Sequence, residues 1–399
     1  MNRAHIPDRT RSGALPRTVW ALGFVSLFMD VSSEIVHALL PLFLTATLGA
    51  SVSFVGVVDG IGEATASITK VFSGFISDRI GKRRPLILLG YGLAAASKPL
   101  FALAGSPGVV LGARFADRVG KGIRGAPRDA LVADVTAPAA RGRAFGLRQA
   151  LDTIGAFAGP VVAIGLMALF AQDMRKVFWL AALPGIAAVA IAAVWVHDPP
   201  APPRELAPPL RIRDLGQFGA PFWTVAAIGV VMTLARFSEG FLILRAHQLG
   251  LPIALAPAVL IVMNLVYAAG AYPAGALADR VAPRPLLLAG LAFLIAADSV
   301  LALASTVAVA FAGIAFWGLH MALTQGLLAK LVADAAPAEV VGSAFGTFNL
   351  LSGIAMLVAS VVAGLLWDRL GSPATFLTGG AFAIAAGLLI IATVGRARD

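Results

Sequence analysis

Twelve apolar runs, each long enough to cross a hydrocarbon layer, leave this chain almost no alternative to a bundle of membrane helices. A bilayer core takes about 20 mostly apolar residues per helix. Runs of that kind lie near 18 to 47, 53 to 77, 85 to 104, 107 to 133, 143 to 170, 177 to 196, 221 to 246, 252 to 277, 285 to 304, 307 to 333, 343 to 366 and 374 to 394. Inside lipid the backbone must satisfy its own hydrogen bonds, so each run predicts a helix. The composition agrees, with 59% hydrophobic and 13% charged residues against about a quarter charged in an average soluble domain. The net charge of +10 does not point to nucleic acid, because Arg and Lys cluster in short turns and form no basic face with interleaved aromatics. There is no cysteine, hence neither a disulfide framework nor a thiolate metal site. The first 17 residues carry Arg3, Arg9, Arg11 and Arg17 without an apolar core, so no cleavable signal is expected.

Orientation follows from the turns. Arg79, Lys82, Arg83 and Arg84 follow the second run, Arg141 and Arg143 the fourth, and Arg204, Arg211 and Arg213 lie between the sixth and seventh, whereas residues 48 to 52, 105 to 106 and 305 to 306 hold no Lys or Arg. The positive-inside rule then puts both termini in the cytoplasm. The one long polar stretch, His197 to Gln217, contains six prolines and predicts an extended connection. The chain repeats itself about that midpoint. Leu131 to Asp134 recurs at Leu331 to Asp334, Gly142 with Ala144-Phe145-Gly146 recurs as Gly342 with Ala344-Phe345-Gly346, and Arg84-Pro85-Leu86 recurs as Arg284-Pro285-Leu286, all offset by 200. The expected architecture is therefore all-α, twelve transmembrane helices in two six-helix bundles, residues 1–196 and 218–399, joined by a linker over 197–217. Six helices per copy is an even number, so both copies insert the same way round.

The sharpest motif is GFISDRIGKRR at Gly74 to Arg84, which returns in weaker form as GALADRVAPR at Gly275 to Arg284. Gly74 permits close helix approach and Gly81 a tight turn. Asp78, at a helix C-terminus, sits badly against the macrodipole unless a cation on a neighbouring helix end holds it. With twelve spans and a central loop, this stretch resembles the major facilitator superfamily of secondary transporters. Gly74, Asp78, Arg79, Gly81, Lys82 and Arg83 fill every position of that family's motif between spans two and three. The second copy keeps Gly275, Asp279 and Arg280 and has Ala282 where a Gly belongs. The resemblance implies a cytoplasmic gate at this loop. It also gives Arg114, early in span four, a part in proton transfer, although Arg118 stands where a small residue is usual. The run from Gly120 to Leu131 resembles a little-characterised prokaryotic subgroup. Gly155, Gly159 and Pro160 in span five are similar to the motif of drug–proton antiporters, which implies export; packing and kinking explain the same residues without it.

Ionisable residues at bilayer depth cost about 2.5 to 3.5 kcal/mol each on insertion scales, so they face a cavity or a partner. Helical spacing puts Asp30, Glu34 and His37 of span one within about 40° of one another, and likewise Asp59, Glu63 and Lys70 of span two. Arg114, Arg118 and Lys121 share a basic face, and span seven adds Arg236, Ser238 and Glu239. One reading makes Asp30, Glu34, Asp59 and Glu63 carboxylates that exchange protons with a central cavity. A second makes them structural pairs such as Glu63 with Lys70 or Asp30 with Arg114. A third uses Asp30, Glu34 and His37 as ligands for a divalent metal being transported. Arg124, Arg128 and Asp129 are expected as a solvated cluster at the cytoplasmic mouth, and Asp152 is placed to meet Arg148. No Walker-type loop is present, so ATP-driven pumping is not supported. The sequence thus predicts a monomeric, multi-pass inner-membrane protein, neither an enzyme nor dependent on a cofactor, that couples protons to export of a small organic solute. The alternatives are a metal or metal-chelate exporter and a non-transporting sensor on a transporter fold.

Overall fold

The computed structural model describes residues 15–199, 212–278, 280–337 and 341–393. Twelve long helices account for nearly all of them. α1 runs Arg17–His37 and continues through Leu40–Leu42 into a π-helical turn at Phe43–Thr47. Then come α2 (Val52–Ile80), α3 (Arg84–Leu103), α4 (Pro107–Val135), α5 (Arg141–Leu169) and α6 (Met174–Trp195). α7 is in two pieces, Ala220–Ala235 and Gly240–Gln248, followed by α8 (Ala258–Ala278), α9 (Pro283–Leu303), α10 (Val307–Ala335), α11 (Val341–Leu370) and α12 (Ser372–Thr393). Run length alone places these ends within four residues, except at the start of α8, which begins six residues after the run does.

Local chemistry sets the ends. Ser51 caps α2, its hydroxyl accepting from the Phe54 amide at 3.2 Å. At the other end Gly81 takes the left-handed conformation, φ 69°, which a side chain disfavours. Its N–H closes the helix on the Ser77 carbonyl at 3.1 Å. Ten of the twelve helices are long and apolar enough to cross a membrane; α2 and α4 miss the apolarity limit because they carry the charges described below. Large apolar side chains such as Phe72, Leu103, Leu183, Tyr272 and Leu303 are exposed on the outside. A surface of that kind is stable against lipid and not against water.

The break in α7 departs from the single helix expected over 221 to 246. After Ala235 the chain turns at Arg236 (φ −116°, ψ 87°). The amides freed by the break find side-chain acceptors: Ser238 N–H donates to Ser360 Oγ at 3.2 Å, and Gly240 N–H donates to Ser238 Oγ at 3.1 Å. Phe237, inside the break, is buried against Phe241, Trp317 and Phe376 at ring separations of 5.3 to 5.5 Å.

The two bundles meet tightly at the end away from the Gly81 turn, here called the far end. α2 and α11 approach there backbone to backbone. A Cβ on Gly60 would stand 2.9 Å from Leu357 Cα, and one on Gly364 would stand 2.5 Å from Ser53 Cα. Asp368 of α11 accepts the first amides of α2, Val52 at 3.1 Å and Ser53 at 2.8 Å, where the helix's positive end favours a carboxylate. Towards the Gly81 end α2 leaves that seam, and Phe72, Ile76 and Ile80 are exposed.

Candidate functional site

The wall of the central cavity is built where α5 meets α1. A Cβ on Gly155 would lie 2.7 Å from Leu27 O, and one on Gly159 would lie 2.6 Å from Glu34 Cβ. Glycine at these two positions lets α5 seat directly on the turns of α1 that carry Asp30 and Glu34, with Pro160 inside the same helix. Asp30 and Glu34 are half-buried and line a cavity of about 650 Å³ between the bundles, together with Lys121, Arg124, Phe157 and Tyr267. Glu34 and Lys121 also border a deeper chamber of about 290 Å³, whose walls include His37, Asp59, Glu63, Arg114, Arg236 and Glu239. The charged residues expected on separate helix faces are thus gathered into two adjoining chambers.

Their pairings differ from those the spacing suggested. Arg114 is 3.3 Å from Asp59, not paired with Asp30. Glu63 is 3.1 Å from Arg118, not paired with Lys70. Glu63 and Lys70, seven residues apart, are separated by about 10 Å along one helix. α4 meanwhile packs directly on α2, with Gly62 leaving space for the Arg114 and Arg118 side chains. Asp59 also accepts a 2.5 Å hydrogen bond from Ser238 Oγ, which ties the break in α7 to the first bundle. Glu34 is 3.4 Å from His37. Asp30 has no hydrogen-bond or ion-pair partner among the described residues. Among these residues no group of three His, Asp or Glu is placed to hold a metal ion.

The Arg124, Arg128 and Asp129 group is not the solvated cluster expected. Arg124 is buried, its guanidinium 4.5 Å above the Tyr91 ring. Arg128 reaches Asp129 at 3.1 Å, Ser26 at 2.8 Å and Asp152 at 4.0 Å, and Arg148 holds Asp152 at 2.8 Å. These residues are still inside α4, about 10 to 16 Å from its end. Arg124 is thereby buried, whereas Arg128 lines the cavity and Asp129 stays partly exposed.

At the Gly81 turn, Arg83 is buried and binds Asp78 at 2.6 Å and Asp134 at 3.4 Å. The cation holding Asp78 therefore sits on the neighbouring end of α3, within the same bundle. Gly74 faces α4, where a Cβ would come 3.3 Å from Ala126 Cβ, while Arg79 and Lys82 are exposed. In the second copy nothing lies within contact of Gly275, and Arg280 N–H bonds to Leu277 O at 3.0 Å. Asp279 lies outside the described residues, as do Arg204 and Arg211. The repeat persists in detail: Arg84 donates to Ala193 O on α6 at 2.6 Å, and Arg284 donates to Ile391 O on α12 at 3.4 Å.

Sequence reasoning passed over Asp117, which is buried and holds Lys98 at 2.6 Å. Three residues after Arg114, it shares that residue's helix face, which was the available signal. It also gave no weight to Asp298. This carboxylate is fully buried with neither oxygen hydrogen-bonded, and Trp317 Nε1 is likewise unpartnered. With the offset of 200, Asp298 and Trp317 occupy the positions that Lys98 and Asp117 hold in the first copy.

Comparison with known proteins bears directly on this arrangement. The sequence model of the Major Facilitator Superfamily matches residues 22–259 and 225–398. An uncharacterised MFS-type transporter of Methanocaldococcus jannaschii is 31% identical over 395 residues, covering 94% of this chain and 95% of that one. The multidrug resistance protein MdtH of Edwardsiella ictaluri is 29% identical over 170 residues, 43% of this chain and 40% of its own. The crystal structure of the nucleoside transporter NupG superposes with a TM-score of 0.80 at 11% identity, covering 94% of this chain and 100% of that one. That last likeness concerns the fold alone. Two pseudo-symmetric six-helix bundles around a charged central cavity, matched end to end by the family's sequence model, make this chain a multi-pass membrane secondary transporter of the Major Facilitator Superfamily.

Proposed function

We propose that this transporter couples proton movement to export of a small organic solute by alternating access, with Asp30 as the group that exchanges the proton. The observation that carries this reading is a half-buried carboxylate, free of partners, on the wall of the main cavity. The other carboxylates of the main cavity are engaged, Glu34 with His37 and Asp152 with Arg148, and in the deeper chamber Asp59 is held by Arg114 and Glu63 by Arg118. Lys121, Arg124, Arg128 and Asp152 face the same cavity, so the charge state of Asp30 alters a field that a bound solute also feels. Exchange requires proton and solute to compete, and the one carboxylate of the main cavity without a partner among the described residues supplies a place for that competition.

In this reading residues 1–196 and 218–399 form the two moving bundles, the linker 197–217 connects them, and both termini and the Gly81 turn are cytoplasmic. The cavity then opens to the cytoplasm and the α2–α11 seam closes the opposite side. Gly74, Asp78, Gly81 and Arg83, with Gly275 and Arg280, serve as the gate on the open side. The deeper chamber, with His37, Glu239 and Arg236, relays the bound state to the break in α7. Partial likeness to a multidrug resistance protein supports the export direction. The test is solute flux in everted vesicles under an imposed pH gradient. The expected result is flux that an uncoupler abolishes and that Asp30→Asn removes. Flux indifferent to both would refute proton coupling.

A further inference from the structure

The unneutralised charges in the cavity carry the argument one step further, resting on the transport reading above. Setting aside the groups already paired, four cations at the two chambers have no carboxylate within ion-pair distance among the described residues: Lys70, Lys121, Arg124 and Arg236. Asp30 and Glu239 are the corresponding unpaired carboxylates. The larger chamber holds Asp30 on one side and Lys70, Lys121 and Arg124 along another. Arg124 is 5% exposed and its Nη1 has no hydrogen-bond partner. A buried guanidinium nitrogen left unsatisfied is costly, and an arginine fork matches a carboxylate or phosphate. An apolar stretch of the wall runs from Ile154 and Phe157 on α5 to Leu265 on α8. At about 650 Å³ the chamber is within the range that takes a drug-sized molecule.

We propose that the substrate is an amphipathic zwitterion. Its ammonium group sits at Asp30, its acidic group at Lys121 and Arg124 with Lys70 nearby, and its apolar body against Ile154, Phe157 and Leu265. The two ends do different work. The ammonium takes the place of a proton at Asp30, which makes the proton and the solute exclude each other, as exchange requires. The acidic head supplies charge that the basic wall lacks, and a simple organic cation would meet three uncompensated positive groups there.

The test uses three probes with one apolar body: naphthylalanine (zwitterion), naphthylpropanoate (anion) and naphthylethylamine (cation). Binding to the purified full-length protein in phosphatidylcholine nanodiscs is measured by titration calorimetry in two buffers of different ionisation enthalpy, with protein-free discs as baseline. Naphthylalanine is expected to bind tightest. Lys121→Gln and Arg124→Lys should each weaken naphthylalanine and naphthylpropanoate about tenfold, the loss of about 1.4 kcal/mol, and leave naphthylethylamine unchanged. Asp30→Asn should weaken naphthylalanine and naphthylethylamine and spare naphthylpropanoate. Lys121 is exposed, so its variant keeps the test valid if an Arg124 variant misfolds, and Lys176→Gln, outside the cavity, serves as the unaffected control. A preference for naphthylethylamine, the absence of this crossed pattern, or no saturable naphthylalanine binding up to about 10 mM would overturn the proposal. Proton release on naphthylalanine binding, lost in Asp30→Asn, reads the coupling separately. The crossed pattern without proton release would remove the coupling and leave the substrate class standing.

Discussion

Two buried positions at equivalent places in the repeat show how much a partner is worth. Lys98 and Asp117 lie 2.6 Å apart with both side chains buried, and Lys98 also donates to Ser33 Oγ at 3.1 Å. Removing Lys98 leaves Asp117 only the more distant Arg118, at 3.8 Å; breaking a buried pair costs about 3 to 5 kcal/mol when nothing replaces the partner, whereas replacing both members by apolar groups is close to neutral. Lys98→Met should therefore lower the melting temperature sharply, and Lys98→Met with Asp117→Leu should recover most of the loss. A double variant no more stable than the single would disprove the pairing. Asp298 is already in the stranded condition. Asp298→Val replaces a buried polar group without hydrogen bonds by an apolar one and should raise stability by about 1 to 3 kcal/mol, measured as a higher melting temperature in the same assay. A lower one would mean that Asp298 has a partner in the membrane.

At the scale of the helix, α5 and α7 do the positioning. Gly159→Ala would drive a methyl group into Glu34 Cβ and the Val31 carbonyl. Overpacking of that kind costs about 1 to 3 kcal/mol, and it displaces the turn carrying the proposed proton site. Solute flux should fall, while Gly165→Ala, where nothing lies within contact, should leave both flux and stability near wild type. The helices themselves were legible because membrane length and charged turns are properties of consecutive residues. That Asp30 and Glu34 share one helix face and Asp59 and Glu63 another was legible too, since helical spacing fixes it; that the two faces line two adjoining chambers and not one was not. The pairings were not: whether Glu63 meets Lys70 or Arg118 depends on which helix packs opposite, and no local pattern encodes that. The break in α7 was hidden for a related reason. Its freed amides are satisfied by the hydroxyls of Ser238 and Ser360, residues 122 apart, while Arg236, Ser238 and Glu239 read locally only as polar positions on the face of one continuous apolar span.

For the molecule as a whole, the α2–α11 seam is the contact that must open if the cavity is to face the other way. Ser360 is fully buried in it, and the chain contains no cysteine, so a single Ser360→Cys substitution provides a clean reporter. Its reaction with a membrane-impermeant maleimide should be slow. Adding Asp368→Asn weakens charge-assisted bonds to the Val52 and Ser53 amides, each worth about 1.5 to 3 kcal/mol, and should accelerate labelling about tenfold or more. An unchanged rate would mean that the seam is held by packing alone. The ion pairs described above all fall between residues 34 and 152, and none of these spans the two bundles. One shell is thus cross-braced by salt bridges and its twin slides past as a largely uncharged surface. Tilting them breaks none of these ion pairs, so the swing should proceed at much the same pace in dilute and in concentrated salt.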